Sequence, residues 1–150
     1  MNTATPASTL DREVEGRLKS NQIRYTRGRR RVVAVLSASD GPMSATELHA
    51  EIGSAVPLSS LYRSLSVLAG SGVLDHHFSA GGVTRYELAE WLNGHHHHLI
   101  CLLCGKVEDL ELPSAVEEQV EHLVARIGRE ASFSPTDHAL EIEGRCTQCR

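Results

Sequence analysis

Four cysteines constrain this chain more than any other feature. Cys101, Cys104, Cys146 and Cys149 form two C-x-x-C pairs, and the chain has no other cysteine. In a reducing compartment, paired C-x-x-C motifs point to a metal site rather than to disulfides. Four thiolates at tetrahedral corners satisfy zinc, and each motif brings two sulfurs within reach of one ion. Such an ion ties a strand-turn at 101–104 to the end of the sequence, and its binding energy becomes folding energy. Redox-active or inert thiol pairs are the alternative. Thioredoxin-like pairs open helices, however, whereas these flank strand-like segments.

A tetrad, His95 to His98, directly precedes Cys101. On a strand, period two sends His95 and His97 to one face and His96 and His98 to the other. One segment then supplies two imidazoles to each of two metal sites. The candidate partners are Asp75, Glu87, Glu90, Asp109, Glu117 and His138. His49, His76, His77 and His122 read as solvent-facing or packing histidines.

Charge divides the chain. Residues 1–85 carry ten Lys/Arg against seven Asp/Glu, a net of +3, and residues 86–150 carry five against twelve, a net of −7. The sum is the formal net charge of −4. Such asymmetry predicts two domains with different partners. Arg24, Arg27, Arg29, Arg30 and Arg31 cluster without an acid among them, a footprint suited to nucleic acid. Aromatics are only 4% of the 150 residues, so the core must be aliphatic. No apolar run approaches the ~20 residues of a membrane helix, and Met1 to Asp11 has no apolar signal core. A cytoplasmic protein without a membrane partner is expected.

The periodicity predicts helices, then a hairpin, then a second α/β unit. Residues 1–9 are expected to be disordered. Leu10, Val14 and Leu18 lie at helical spacing. Thr26 is an N-cap candidate for a helix through Leu36. Ser44 and Glu47 form a capping box, and Ser59 opens a helix carrying Leu61, Leu65 and Leu68. Val73–Phe78 and Val83–Leu88 read as strands around a Ser79-Ala80-Gly81-Gly82 turn. Glu90 to Gly94 reads as the linker. His95–Leu102, Lys106–Leu112 and His138–Glu143 read as strands. Ser114 and Glu117 suggest a second capping box, on a helix that closes at Gly128 with its apolar face toward a core. Three helices and a hairpin describe a winged helix-turn-helix. The expected class is α+β, with domains 1–89 and 95–150 joined by a hinge at 90–94.

The string His95-His-His-His-Leu-Ile-Cys101-Leu-Leu-Cys104-Gly resembles the ferric-uptake-regulator (Fur) family of metal-sensing repressors. Leu58-Ser59-Ser60-Leu61-Tyr62-Arg63-Ser64-Leu65 resembles that family's recognition helix, and Cys146-x-x-Cys149 also fits. The resemblance implies an N-terminal winged-helix DNA-binding domain, a C-terminal α/β dimerisation domain, and a homodimer that binds double-stranded operator DNA when metal is present. It implies that Cys101, Cys104, Cys146 and Cys149 hold structural zinc. It implies a regulatory site of His96 and His98 with Asp75, typical of zinc sensors, and Glu87, typical of iron sensors. It implies an additional site of His95, His97, Glu117 and His138. By the same resemblance, Arg24, Ser59, Ser60, Tyr62 and Arg63 contact DNA.

The family's iron, peroxide and nickel sensors place a histidine before the third helix, and Ser39-Asp40-Gly41-Pro42-Met43 has none. Zinc-uptake members lack it too, which favours Zn(2+) over Fe(2+) and makes the zinc-uptake branch the nearest match. Those members often carry a cysteine near Ala89, which leaves Glu87 or Glu90 to complete the set. The readings weighed against a zinc-responsive repressor are an iron-sensing repressor, a zinc buffer or metallochaperone, and an enzyme. The buffer would not need the basic helix. The signatures H-x-E with P-C-x-x-C and H-E-x-x-H, which a zinc hydrolase or deaminase would carry, are missing.

Overall fold

The computed structural model describes residues 7–78 and 81–150. Residues 1–6 and the Ser79-Ala80 half of the expected turn lie outside them. The expected disorder of 1–9 fails at its end, because helix α1 (Ala7–Ser20) already contains Ser8 and Thr9.

Helix α1 buries Leu10, Val14 and Leu18, a single face at i, i+4, i+8. Helix α2 (Arg27–Ser37) starts where the Thr26 side chain accepts the Arg29 N–H, and it buries Val32, Val33 and Leu36. Strand β1 (Met43–Ser44) is an addition to the sequence expectation. It leads into α3 (Ala45–Ile52), whose capping box forms as read: Ser44 Oγ accepts from Glu47 N, and Glu47 accepts from Ser44 N. A 3-10 turn at Gly53–Ala55 follows. Helix α4 (Leu58–Gly70) buries Leu61, Ser64, Leu65 and Leu68. Strands β2 (Leu74–Phe78) and β3 (Thr84–Leu88) make the hairpin, and the sheet order is β1-β3-β2, all antiparallel. Buried Arg85 on β3 donates to Glu47 Oε2 at 2.8 Å and to the Pro42 carbonyl at 3.2 Å, pinning α3 to the sheet.

The segment expected as a linker folds as a short helix, α5 (Glu90–Asn93). Leu92 enters the core, Trp91 Nε1 donates to the Gly72 carbonyl at 2.8 Å, and the Arg17 guanidinium lies 4.4 Å from the Trp91 ring centre. The helix is thereby fastened to the N-terminal half. Gly94, at φ 81°, turns the chain away from it.

The C-terminal half comprises β4 (His97–Cys101), β5 (Val107–Leu110), α6 (Ser114–Glu130) and β6 (Glu141–Gly144), with sheet order β5-β4-β6. Strand β4 pairs antiparallel with β5 and parallel with β6. Strand β6 lies further along the chain than His138–Glu143, because its register is set by Cys101 opposite Gly144. Two details of α6 also differ from expectation. Its N-cap is Pro113, so Ser114 makes no cap bond and the Glu117 carboxylate goes elsewhere. Gly128 does not close the helix. It is buried, and a Cβ there would lie 2.7 Å from both Phe133 O and Pro135 Cδ, so it lets the returning chain cross the helix.

The halves differ in how they are held. The apolar core runs from Leu10 to Leu92 and lies in the N-terminal half. In the C-terminal half, Val116, Leu123 and Ile127 of α6 are 40%, 52% and 53% exposed rather than facing a core within the chain. A unit this small without an apolar interior needs metal staples or a partner. Between the halves, Asp109 N donates to Asp40 O at 3.1 Å, and Gly41 sits against the β5 backbone.

Candidate metal centres

The parallel pairing of β4 with β6 brings the two C-x-x-C motifs together. Leu102 N donates to Gly144 O at 2.9 Å, so Cys146 begins beside Cys101. Gly105, at φ 74°, tightens the turn after Cys104, and its N–H returns to Cys101 O at 2.9 Å. All four thiols are free of disulfides and lie within 4.8 Å of one another. Cys104 Sγ and Cys146 Sγ are 3.8 Å apart. A tetrahedron with Zn–S bonds of ~2.3 Å has an edge of ~3.8 Å. Backbone N–H groups of Cys104 and Cys146 pull the Cys101 thiol down to about 6. Cys149, held by the Cys146 and Cys104 sulfurs and repelled by charge on Cys101, is pushed up to about 12. A divalent cation among the four sulfurs would favour their thiolate forms.

The histidine tetrad splits into the two expected pairs, although the strand begins only at His97 rather than at His95, and His95 and His96 lie in the turn before it. Buried Glu87 on β3 faces His96 Nε2 at 2.8 Å and His98 Nε2 at 3.2 Å, both through Oε2. Asp109 Oδ1, on β5, lies 3.7 Å from His96 Nε2 and 3.8 Å from His98 Nε2. These four donors lie within 4.8 Å of one another and span both halves of the chain. Their separations straddle the ~3.3 Å edge of a zinc tetrahedron with bonds of ~2.0–2.1 Å. Asp109 Oδ1 is buried and has no hydrogen-bond partner among the described residues, an orphan that an ion between it and the imidazoles would satisfy. Burial pushes Asp109 upward, opposed by His96. Burial also penalises Glu87, but hydrogen bonds from His77, His96 and His98 outweigh it and hold its carboxyl far below the usual range. The same bond to Glu87 raises His96 to about 9 against a smaller cost of burial.

Asp75 does not join this group. It is exposed, and it pairs directly opposite Glu87 in the hairpin register. Two carboxylates so placed repel, and Glu87 turns instead to the imidazoles of β4. Asp109 stands in the fourth corner. Glu90 is also elsewhere: its Oε1 lies 2.6 Å from His95 Nδ1. His77, read from the sequence as a solvent or packing histidine, lies 2.5 Å from Glu87 Oε1. The signal for it was available, because His77 shares the hairpin face of Asp75 and Glu87.

On the other face of β4, fully buried His97 meets Glu117 Oε2 at 2.9 Å. His138 Nε2 lies 2.9 Å and His95 Nε2 3.4 Å from Glu117 Oε1. This third set of four is again within 4.8 Å. Glu117 is lowered chiefly by its bond with His97. A carboxylate engaged this way cannot close the capping box expected at Ser114.

Away from the metal donors, Ser59, Ser60, Tyr62 and Arg63 are exposed on α4, opposite its buried leucines. Tyr62, 51% exposed, is no core aromatic. Arg27 and Arg31 share a groove with Pro57 and Ser60 at the start of α4. Two of the five clustered arginines are committed to the fold. Arg29 donates to the Arg24 carbonyl at 2.5 Å, and Arg30 lies over the Tyr25 ring and beside Asp11 and Glu15. Arg24, Arg27 and Arg31 remain exposed.

Comparison with known proteins fits this arrangement. Residues 20–143 match the model of the Ferric uptake regulator family. The chain belongs to that family. It is 34% identical over 142 residues to the ferric uptake regulation protein of Legionella pneumophila, covering 92% of this chain and 99% of that protein. It is 33% identical over 131 residues to the zinc uptake regulation protein of Mycobacterium tuberculosis, covering 85% and 95%. The solved structure of the Helicobacter pylori ferric uptake regulator superposes with a TM-score of 0.80 at 24% identity, over 99% of this chain and 97% of that one, and shares the mixed α+β fold. As a member of the family the chain is a metal-responsive regulator, not an enzyme. Among the described residues, no helix is long and apolar enough to cross a membrane.

Proposed function

We propose that this chain is a zinc-responsive transcriptional repressor that binds operator DNA as a homodimer in the cytoplasm. The observation that carries the reading is the donor set bridging the halves: Glu87 from the hairpin, with His98 and Asp109 from β4 and β5 and His96 from the turn just before β4. Residues 1–89 form the winged-helix DNA-binding domain, and 95–150 the dimerisation domain. Helix α4 enters the major groove with Ser59, Ser60, Tyr62 and Arg63, while Arg24 reaches the backbone or minor groove. Cys101, Cys104, Cys146 and Cys149 hold structural zinc. Glu87, His96, His98 and Asp109 hold the regulatory ion, and His95, His97, Glu117 and His138 an additional one. The exposed apolar face of α6, with Phe133 held at its C-terminal end by a bond to Gly128 O, supports pairing with a second copy.

An ion shared by hairpin and β4–β5 fixes the angle between the halves. In a dimer that angle sets the distance between the two α4 helices, which must match half-sites about one helical turn apart or a multiple of it. A loose hinge populates the matching spacing only in part, and apparent DNA affinity falls by that fraction. The compact four-donor set supports zinc. An iron(II) reading is supported by the two carboxylate oxygens of the same set, which suit a harder ion.

The test is in vitro selection of random duplex DNA by the zinc-loaded protein, followed by mobility shift of the selected duplex. The reading expects one enriched, two-fold-related sequence whose binding is lost when a chelator strips the regulatory ion. No enrichment, or equal binding with and without chelator, contradicts it.

A further inference from the structure

The inference rests on the reading of Glu87, His96, His98 and Asp109 as the regulatory metal set, and concerns a residue outside it. We propose that His77 is a positioning residue: by holding the second oxygen of Glu87, it keeps the site four-coordinate and selects for zinc.

The carboxylate of Glu87 is divided between two faces. Oε2 points to His96 and His98, and Oε1 is taken by His77 Nε2 at 2.5 Å. His77 and Glu87 are diagonal neighbours on one hairpin face, since His77 pairs with Arg85 and Asp75 with Glu87. The His77 ring is itself held, edge-on to His98 with centres 4.9 Å apart. It lies outside the group of donors that are mutually within 4.8 Å, so it is placed to aim a ligand rather than to be one. Imidazole–carboxylate pairs of this kind orient metal ligands and tune affinity.

The consequence is a coordination number. With Oε1 occupied by an N–H donor, Glu87 offers one oxygen, and the set is two imidazoles and two carboxylate oxygens. Four N and O donors suit zinc. With His77 gone, Oε1 is free to bind alongside Oε2, and a fifth donor oxygen favours metals of higher coordination such as manganese(II) or iron(II).

The probe is cobalt(II), whose ligand-field absorption is intense when tetrahedral and weak at five or six coordination. Zinc is kept in the thiol site, and a His138→Ala background weakens the additional site. In that background the hinge site is expected to give intense tetrahedral bands. His77→Ala is expected to cut their intensity several-fold and to move the zinc-over-manganese preference toward manganese by ~10-fold or more. His77→Gln, whose amide N–H can still hold Oε1, is expected to restore the intensity. Retained thiol zinc and circular dichroism report that each variant is folded. Unchanged spectrum and metal preference in His77→Ala overturn the proposal. So does loss of one imidazole from the cobalt shell by X-ray absorption in both variants, which makes His77 a ligand. If His77 is intact and no cobalt enters the hinge group at all, the regulatory-site reading itself fails, a result distinct from either.

Discussion

Gly41 lies where the two halves of the chain touch, and replacing it with alanine acts on the hinge without touching a metal donor. A Cβ there would sit 2.4 Å from Val107 O and 3.2 Å from Glu108 Cα, whereas ordinary contact begins at 3.4 Å. The loop and β5 must therefore separate by ~1 Å. Overpacking costs ~1–3 kcal/mol if the strain is retained, partly offset by the ~0.4–1 kcal/mol that Gly→Ala gains through the unfolded chain. The contact between halves is softer than the apolar core, so it opens and relieves the strain. Asp109 moves with β5 and with its β4 neighbour His98, so the bond from Asp109 N to Asp40 O is lost and Glu87, on the hairpin of the other half, draws away from His96, His98 and Asp109. Loss of such support weakens metal binding by ~10–100-fold. Competition with a chromogenic chelator, thiol zinc retained, should show that loss at the hinge site and a parallel loss of DNA binding at fixed zinc. Gly16→Ala on α1, with nothing within 4 Å of its Cβ, is the control and should be neutral or stabilising by up to ~1 kcal/mol. A folded Gly41→Ala protein with hinge affinity within about twofold of wild type, well inside the ~10–100-fold loss, refutes the reasoning.

Cys146→Ser should remove one zinc per chain and unfold the β4–β6 pairing, measured by metal content and circular dichroism; a folded dimer without that zinc contradicts the assignment. Arg63→Ala should weaken binding to the selected duplex by ~1–3 kcal/mol if it reads a base, or lower the salt slope by ~1 if it touches phosphate. In protein holding only thiol zinc, His96 is raised to about 9 by Glu87, so its stabilising charge is complete below its ordinary value of ~6.5 and lost as pH rises through about 9. Denaturant titrations should show that contribution falling between pH 6.5 and 9.5, while zinc affinity at the hinge, which needs the neutral ring, rises over the same interval. Glu117→Gln should weaken metal uptake at the His95, His97 and His138 set and leave the hinge site within a fewfold of wild type.

What could be read before folding was what depends on local period. The i, i+4 spacing of Leu10, Val14 and Leu18 and the box at Ser44–Glu47 are local, and they fold as read. The alternation of the four histidines was legible as two faces, although only His97 and His98 lie on the strand and His95 and His96 are placed by the turn before it. Register and partner choice were not local. That Asp75 stands outside the compact donor group and Asp109 within it was not legible, since only the pairing of β2 with β3 shows that Asp75 opposes Glu87, and only the pairing of β4 with β5 brings Asp109 under His98. Ser114–Glu117 had the letters of a capping box, but the buried His97 ring competes for the same carboxylate, and Pro113 opens the helix. The apolar stripe of α6 was legible as a stripe. Periodicity did not reveal that Val116, Leu123 and Ile127 stay exposed within the chain, because a stripe shows one apolar face and not what lies against it.

In the proposed switch, one ion held by Glu87, His96, His98 and Asp109 couples zinc to DNA by fixing the angle between the halves. Thermodynamic linkage makes the coupling reciprocal. Zinc should be titrated calorimetrically into dimer with its thiol site filled, once alone and once saturated with the selected duplex. The duplex should tighten zinc at the hinge by the same factor by which zinc tightens the duplex. Equal zinc affinity in the two titrations contradicts it, even in a protein that binds both zinc and DNA.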